Sequence, residues 1–397
     1  MNDTVVLAYS GGLDTSYCVK YLKHEKNLEV HAVLVNTGGF EEAEIEEIKS
    51  RAISLGVSKF ESIDVTEEFY QKAIRYLIFG NILKNDTYPL SVSAERIFQA
   101  IAIAEYAAKI NARYIAHGST GAGNDQVRFD LAFNIICPEA EIITPIRDQQ
   151  LSRSEEIEYL KYHGVEMSWE KAKYSINKGL WGTSVGGAET LTSNLTLPEK
   201  AYPSQLVKKG SETIKLTFQS GELVGIDGNA YSSVQSIQLL EKLASAYAVG
   251  RDMHVGDTII GIKGRVGFEA AAPLVTIKAH HTLEKHVLTK WQLYWKDQLA
   301  EWYGMMMHEG QYLDPVMRDI ETFLKNTQQN VTGEVEVELH PYRFVVVGIT
   351  SKYDLMNSKF GDYGEMNNAW SGEDVKGFTK ILANQTKIHA AINKAKL

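Results

Sequence analysis

Thr4–Tyr9 (TVVLAY) is β-branched and apolar on both faces, as a buried parallel strand is, and it runs straight into Ser10-Gly11-Gly12. A helix pattern follows, with Leu13, Tyr17 and Tyr21 at spacing four. A strand, a glycine turn and a helix in that order begin a β-α alternation that continues for 165 residues. Val30–Val35, Phe60–Val65, Arg113–His117 and a weaker Ile142–Thr144 read as further strands. Glu41–Leu55 reads as an amphipathic helix ending at Gly56, and Thr66 as the cap of a helix running toward Leu83. Ala94–Ile110 is an alanine- and isoleucine-rich helix, and Ser152-x-x-Glu155 forms a capping box for a helix that ends at Gly164. The pattern predicts a doubly wound parallel-sheet α/β domain, whose ligands sit at the carboxyl ends of the strands.

After about residue 166 the alternation stops. Lys173–Ser204, rich in Gly, Ser, Thr and Asn, reads as loops. Thr213–Phe218, Thr258–Lys263, Leu274–Lys278, Val335–Leu339 and Tyr342–Thr350 read as strands, Ser233–Ala248 and Leu283–Met307 as helices, giving an α+β half. The tail Val375–Leu397 has five lysines, no acid, and apolar positions at helical spacing, with Lys394 and Lys396 suiting a helix C-terminus. It reads as a C-terminal helix that packs on another subunit or domain. The expected domains are 1–165, 166–370 and 371–397.

Composition narrows the function. Asp and Glu outnumber Lys and Arg by 50 to 41, against the balance of a nucleic-acid binder. Two cysteines, Cys18 and Cys137, support neither a zinc site nor a disulfide frame. Met1-Asn2-Asp3-Thr4 lacks the start of a signal peptide, and no apolar run approaches the roughly 20 residues that span a bilayer. A cytoplasmic protein acting on small substrates is expected, with neither membrane nor nucleic acid as partner.

Ala8-Tyr9-Ser10-Gly11-Gly12-Leu13-Asp14-Thr15-Ser16 occupies the place of a nucleotide-binding loop. Ser10, Gly11 and Gly12 allow close backbone approach, and their N–H groups can cradle phosphates. Thr15 and Ser16 add hydroxyls, and Asp14 can hold Mg²⁺ or cap the helix. The chain contains no Gly-Lys dipeptide, so this is not a Walker loop. It is the PP-loop pattern of enzymes that split ATP into AMP and pyrophosphate.

His117-Gly118-Ser119-Thr120-Gly121-Ala122-Gly123-Asn124-Asp125-Gln126-Val127-Arg128-Phe129 follows the fourth strand and opens at the same sheet edge. Its glycines suit a nucleotide. Its mixture of Asn124, Asp125 and Arg128 suits an amino acid, with Arg for a carboxylate and Asp for an ammonium. Taken alone, a solvated glycine loop would also fit.

With these motifs and Tyr174-Ser175-Ile176-Asn177-x-x-Leu180-Trp181, in order and spacing, the sequence resembles the argininosuccinate synthase family. The resemblance implies ATP-dependent joining of L-citrulline and L-aspartate, giving argininosuccinate, AMP and pyrophosphate in arginine biosynthesis. It also implies a nucleotide-binding domain, a synthetase domain and a C-terminal helix used in homotetramer assembly. By carry-over, Ala8–Ser16 binds ATP, with Val35 near the adenine and Gly118 near the nucleotide. Thr120, Asn124 and Asp125 match aspartate positions, and Tyr88, Ser93, Asn124, Arg128, Ser175 and Ser184 match citrulline positions. Ser10, Asp14 and Asp125 are the candidates for direct roles in the chemistry.

The chain departs from the family at identifiable places. Ala122 replaces a lysine between the two glycines. A glutamate and a tyrosine that the family uses on citrulline are Gly256 and Phe268, with Asp257 adjacent and able to supply a carboxylate. Ala94-Glu95-Arg96 differs from the usual Leu-Ala-Arg-Pro, leaving Arg96 as a further carboxylate ligand. Cys18, Cys137, Trp291, Trp295 and Trp302 read as packing residues, and His280-His281 as a helix-start surface or cap pair. A PP-loop tRNA thiolase would need cysteine chemistry and a basic face, which this chain lacks. A non-catalytic nucleotide-binding regulator would not need the second loop's polar cluster.

Overall fold

Five apolar runs form one parallel sheet in the order β3-β2-β1-β4-β5: β1 (Thr4–Ala8), β2 (Glu29–Asn36), β3 (Lys59–Asp64), β4 (Tyr114–Ala116) and β5 (Glu141–Ile143). Val5, Val6 and Leu7 of β1 have no exposed surface, because helices cover both faces of a sheet built from β-α units. The chain winds from β1 to β2 and β3 on one side, and to β4 and β5 on the other. β1 and β4 are therefore neighbours at the point where the winding reverses, and the crevice there receives both glycine loops. The computed structural model describes residues 3–165, 174–356, 363–365 and 369–393. These fall into two compact units, Met1–Lys352 and Tyr353–Leu397.

The remainder of the first unit is antiparallel. β6 (Ser175–Gly179), β7 (Gly182–Gly186), β11 (Arg251–Asp257) and β12 (Lys263–Glu269) make a four-stranded sheet in the order β11-β12-β7-β6. β8 (Glu212–Gln219), β9 (Glu222–Ile226), β10 (Asn229–Ala230), β13 (Gly333–His340) and β14 (Arg343–Thr350) make a five-stranded one in the order β10-β9-β8-β13-β14. The Ser91–Lys109 helix packs against β1, β2 and β4 as well as β6 and β7, so it runs between the parallel sheet and the smaller antiparallel one. That position decides which side chains reach the crevice.

The capping box read at Ser152 forms, and Glu41 starts another that the sequence reading did not name. Glu41 and Glu44 close the start of the Glu42–Leu55 helix, and Ser152 and Glu155 that of Arg153–Tyr162. Gly56 ends the first of these at φ +91°, the left-handed conformation that glycine favours.

Several expectations from sequence are corrected. Leu274–Lys278 is no strand: it lies inside the Ala271–Val287 helix, whose Pro273 sits in the first turn, where its missing N–H costs nothing. Its apolar run is buried on most sides, which hides the helical period. Of Thr258–Lys263 only Lys263 is strand, the first residue of β12; Thr258–Ile262 is the turn of the β11–β12 hairpin, closed by the Thr258 N–H to the Ile262 carbonyl at 2.8 Å. The described part of Lys173–Ser204 carries β6 and β7, whose polar side chains concealed them as strands; Lys173 itself lies outside the described residues. Leu283–Met307 is two helices, because Thr289 caps a new one at Lys290–His308. The helix after Thr66 contains a widened turn at Tyr70–Ile74 and stops at Phe79, and Val65, not Thr66, is its cap residue.

Other readings of single residues divide. Cys18 is fully buried in the core cluster around β1, as expected, and Cys137 is buried too. Trp291, Trp295 and Trp302 are each more than half exposed and do not pack in the core. His280 lies mid-helix with no exposure. Its Nδ1 is 2.6 Å from Asn81 Oδ1 and its Nε2 2.8 Å from Gln328 Oε1, so it is neither a surface residue nor a cap.

In the second unit the tail forms two helices, Gly372–Leu382 and Asn384–Asn393. Phe378, Ile381, Leu382, Ile388 and Ile392 are all exposed. Lys394 and Lys396 lie outside the described residues.

Candidate active site

At the β1 carboxyl end the chain turns through Gly11 at φ +75° and enters the Leu13–His24 helix, with Gly12 as its cap residue. The Ser16 hydroxyl donates to the Gly12 carbonyl at 2.7 Å and the Thr15 hydroxyl to the same oxygen at 3.3 Å. No side chain caps this helix, so the cap role open to Asp14 is not taken; Asp14 stands in the first turn. Arg51 donates to the Gly11 carbonyl, fixing the peptide from behind. A Cβ at Gly11 would lie 3.1 Å from Ile48 Cγ1, and the backbone there is one L-residues rarely adopt. Gly11→Ala should therefore cost about 1–2 kcal/mol of stability and weaken ATP saturation. Urea unfolding and an ATP titration test this; unchanged values in both would contradict it.

The second loop is tied at both ends. His117 Nδ1 accepts from the Ser119 N–H at 3.2 Å, which makes Nε2 the protonated nitrogen, and that N–H donates to Asp130 at 2.9 Å. Arg147 donates to the other Asp130 oxygen at 2.6 Å. Burial works against the Asp130 carboxylate, but His117 and Arg147 outweigh it and hold it below the usual range. The Gln126 amide donates to the Gly121 and Gly123 carbonyls, at 2.7 and 3.1 Å, and closes the loop. Ala122 is exposed.

Asp125 begins the Asp125–Ile136 helix. One carboxylate oxygen takes Arg96 Nε at 3.2 Å and the other Arg128 Nη1 at 3.0 Å. Burial raises its carboxyl, but the two guanidinium groups more than compensate and hold it below its ordinary value. A carboxylate has about four lone-pair positions. The two guanidinium bonds leave room for a substrate ammonium.

These loops bound a cavity of about 750 Å³, within the usual size for small-ligand sites. Of the residues singled out in the sequence, Ala8, Tyr9, Ser10, Gly12, Leu13, Asp14, Thr15, Val35, Gly118, Thr120, Asp125 and Ser175 line it. Gly11, Ser16, Tyr88, Ser93, Asn124, Arg128 and Ser184 do not. Arg128 is buried, giving Nε and Nη2 to the His308 carbonyl at 3.1 and 2.7 Å and Nη2 also to Ser93 at 3.2 Å. Tyr88 is buried against His254 and Phe268. Asn124 accepts from the Ile259 N–H at 2.8 Å, linking the loop to the β11–β12 hairpin. Ser184 faces the Asn177 amide at 3.4 Å.

Arg96, unlike Arg128, reaches the cavity wall, where it stands beside Asp125 and also donates to Asn177 at 2.9 Å. Asp257 is about two-thirds exposed, pairs with Lys263 at 2.6 Å, and is not part of the wall. A Cβ at Gly256 would meet His254 Nε2 at 2.6 Å, so His254 occupies the space a side chain there would need. Sequence reasoning missed His117, Asp130, His308 and Gln99. His117 and Asp130 flank the glycine loop and were its available signal; His308 and Gln99 had none.

Residues 4–166 match the arginosuccinate synthase N-terminal HUP domain, and residues 174–389 the arginosuccinate synthase C-terminal domain. The chain belongs to the argininosuccinate synthase family. It is 36% identical to an argininosuccinate synthase of Dictyoglomus turgidum over 98% of both chains. It is 38% identical to one from Methanocaldococcus jannaschii, over 92% of this chain and 93% of that one. A Xanthomonas campestris relative of the same name is 35% identical over 98% of this chain and 99% of its own. The protein is a ligase, and its two glycine loops open together at the β1–β4 crevice, where the winding of the parallel sheet reverses.

Proposed function

We propose that the crevice binds ATP, L-citrulline and L-aspartate together and carries both halves of the family's reaction. The citrulline ureido oxygen attacks the α-phosphorus of ATP and pyrophosphate leaves. The aspartate amine then attacks the activated carbon of citrullyl-AMP, giving argininosuccinate and AMP, a step of arginine biosynthesis. The supporting observation is the pair of glycine loops on adjacent parallel strands, with one carboxylate, Asp125, facing the shared cavity between two guanidinium groups.

In this reading the N–H groups of Ser10–Leu13 hold the phosphates. Val35 and Gly118 border the nucleoside, and Thr120 and Asp125 take the aspartate. Ser175 and Arg96 serve the citrulline end from the wall. Tyr88, Ser93, Asn124, Arg128 and Ser184 form the layer behind it, either as contacts made when substrate enters or as supports. Among the described residues no three His, Cys, Asp or Glu side chains converge on one metal position. Mg²⁺ needs only one or two carboxylates when phosphates complete its shell, and Asp14, on the wall in the first helical turn, fits that demand. Bound there with the nucleotide, the ion would neutralise phosphate charge.

We place the domain limits at 1–165, 166–370 and 371–397, the first enclosing the parallel sheet. The exposed apolar side chains of the tail helices support homotetramer assembly through the tail. No described helix is long and apolar enough to cross a membrane, and both cysteines are free thiols, which supports a cytoplasmic site of action. Product analysis tests the function. ATP consumption should require both amino acids and yield AMP and pyrophosphate; ADP as the main product would overturn the reading.

A further inference from the structure

We propose that Glu95 is the proton acceptor for the aspartate amine in the second step. The proposal rests on the placement of that amine at Asp125. Glu95 lies in the second turn of the Ser91–Lys109 helix and reaches the cavity wall while only 3% exposed. Its Oε1 accepts from Gln99 at 2.8 Å and from Arg96 Nη1 at 3.3 Å. The Nε of the same guanidinium bonds Asp125 at 3.2 Å, so a single guanidinium separates the two carboxylates. Gly179 of β6 makes room for the group: a Cβ there would lie 2.1 Å from Glu95 Oε2.

The two carboxylates have opposite environments. Asp125 sits between two guanidinium groups and stays ionised. Burial pushes the Glu95 carboxyl up to about 7, against the pull of Arg96 and the Thr37 hydroxyl and with the help of Asp125. Paired groups driven apart in this way divide into an anchor and a proton carrier. The other charged groups of the wall are Lys178 on β6, Asp14 and Glu44 on the nucleotide side, and Arg153. His117 has both ring nitrogens engaged, by Ser119 and Asp130, and is not available.

In the step itself, the amine nitrogen forms a bond to the activated ureido carbon. The C–O bond to AMP breaks with its electron pair leaving on the AMP phosphate. The proton that the nitrogen sheds passes to the Glu95 carboxylate.

The test compares wild type, Glu95→Gln, Glu95→Ala and Glu95→Asp in two assays. Citrulline-dependent exchange of pyrophosphate into ATP, without aspartate, reads the first step and confirms a folded site. Turnover against pH at saturating substrates reads the second. Wild-type turnover should fall on the acid side through about pH 7, and Glu95→Gln and Glu95→Ala should lose about 10²–10⁴-fold in turnover, together with that limb, while exchange persists. Glu95→Asp should retain the limb at reduced rate. The proposal is overturned if Glu95→Gln or Glu95→Ala keeps wild-type turnover and its acid limb, or if exchange falls in parallel with turnover. A failure of the Asp125 placement would look different: an unchanged aspartate KM in Asp125→Ala.

Discussion

Asp125→Ala should raise the aspartate KM sharply and destabilise the fold, while leaving ATP saturation near that of wild type. The carboxylate makes two charge-assisted hydrogen bonds, to Arg96 and Arg128. Each such bond is typically worth about 1.5–3 kcal/mol. Its side chain is about a third exposed, so solvent screens part of the pair energy. A stability loss on the order of 2–3 kcal/mol is the expected net result. The same group sets a pH dependence. Its folded-state carboxyl is held below the unfolded value, so its stabilisation is complete above about pH 4 and disappears as pH falls through the folded value. The gap between wild type and Asp125→Ala in urea unfolding should thus be constant near neutrality and close in acid. An unchanged aspartate KM would remove Asp125 from the substrate site. A gap that widens in acid would show that the guanidinium groups do not hold the carboxylate.

Arg128→Ala should be the more damaging change to the fold. Arg128 is buried and binds Asp125, Ser93 and the His308 carbonyl at once. Its removal leaves a carbonyl and a hydroxyl short of a donor, and takes one of Asp125's two counter-charges. Breaking a buried charge pair from one side typically costs about 3–5 kcal/mol. Arg128→Lys keeps the charge, but one ammonium cannot span three acceptors, so it should fall between the two. His308 reports on the same loss. Its imidazole is pushed down to about 4, first by burial and then by the Arg128 charge. Between about pH 6.5 and 4 the unfolded chain binds a proton there that the folded chain does not, so stability drops as pH falls through that window. Citrulline saturation should worsen with the fold, because Ser93 loses its anchor. Wild-type unfolding together with normal citrulline saturation in Arg128→Ala would refute this arrangement.

The parallel sheet was legible because β1 and β2 are apolar on both faces, a pattern that few other structures need. The crossing of two glycine loops at one sheet edge followed from strand order, and the structure places them on adjacent strands, β1 and β4. The antiparallel half was harder to read. β6 (SINKG) and β7 (GTSVG) each hold a single apolar side chain, Ile176 and Val185, among Ser, Thr, Asn, Lys and Gly, so they carry no apolar period. The Leu274–Lys278 run is buried on most sides, and burial all round erases the difference between helix and strand. At the candidate site the motif residues were visible, but their directions were not. Arg128 and Arg96 are both conceivable carboxylate ligands in sequence, and only packing turns the first inward and the second to the wall. The raised Glu95 carboxyl depends on burial against Gly179 and on a guanidinium shared with Asp125, neither of which sequence spacing encodes.

The central claim is that the citrulline ureido oxygen, not water, attacks the α-phosphorus of ATP in this crevice. Citrulline carrying ¹⁸O in its ureido group tests it directly, with aspartate, ATP and Mg²⁺ present and the phosphate products analysed by mass spectrometry. The account predicts one ¹⁸O in the phosphate of AMP and none in pyrophosphate. Unlabelled AMP, or label in a phosphate released together with ADP, would contradict it.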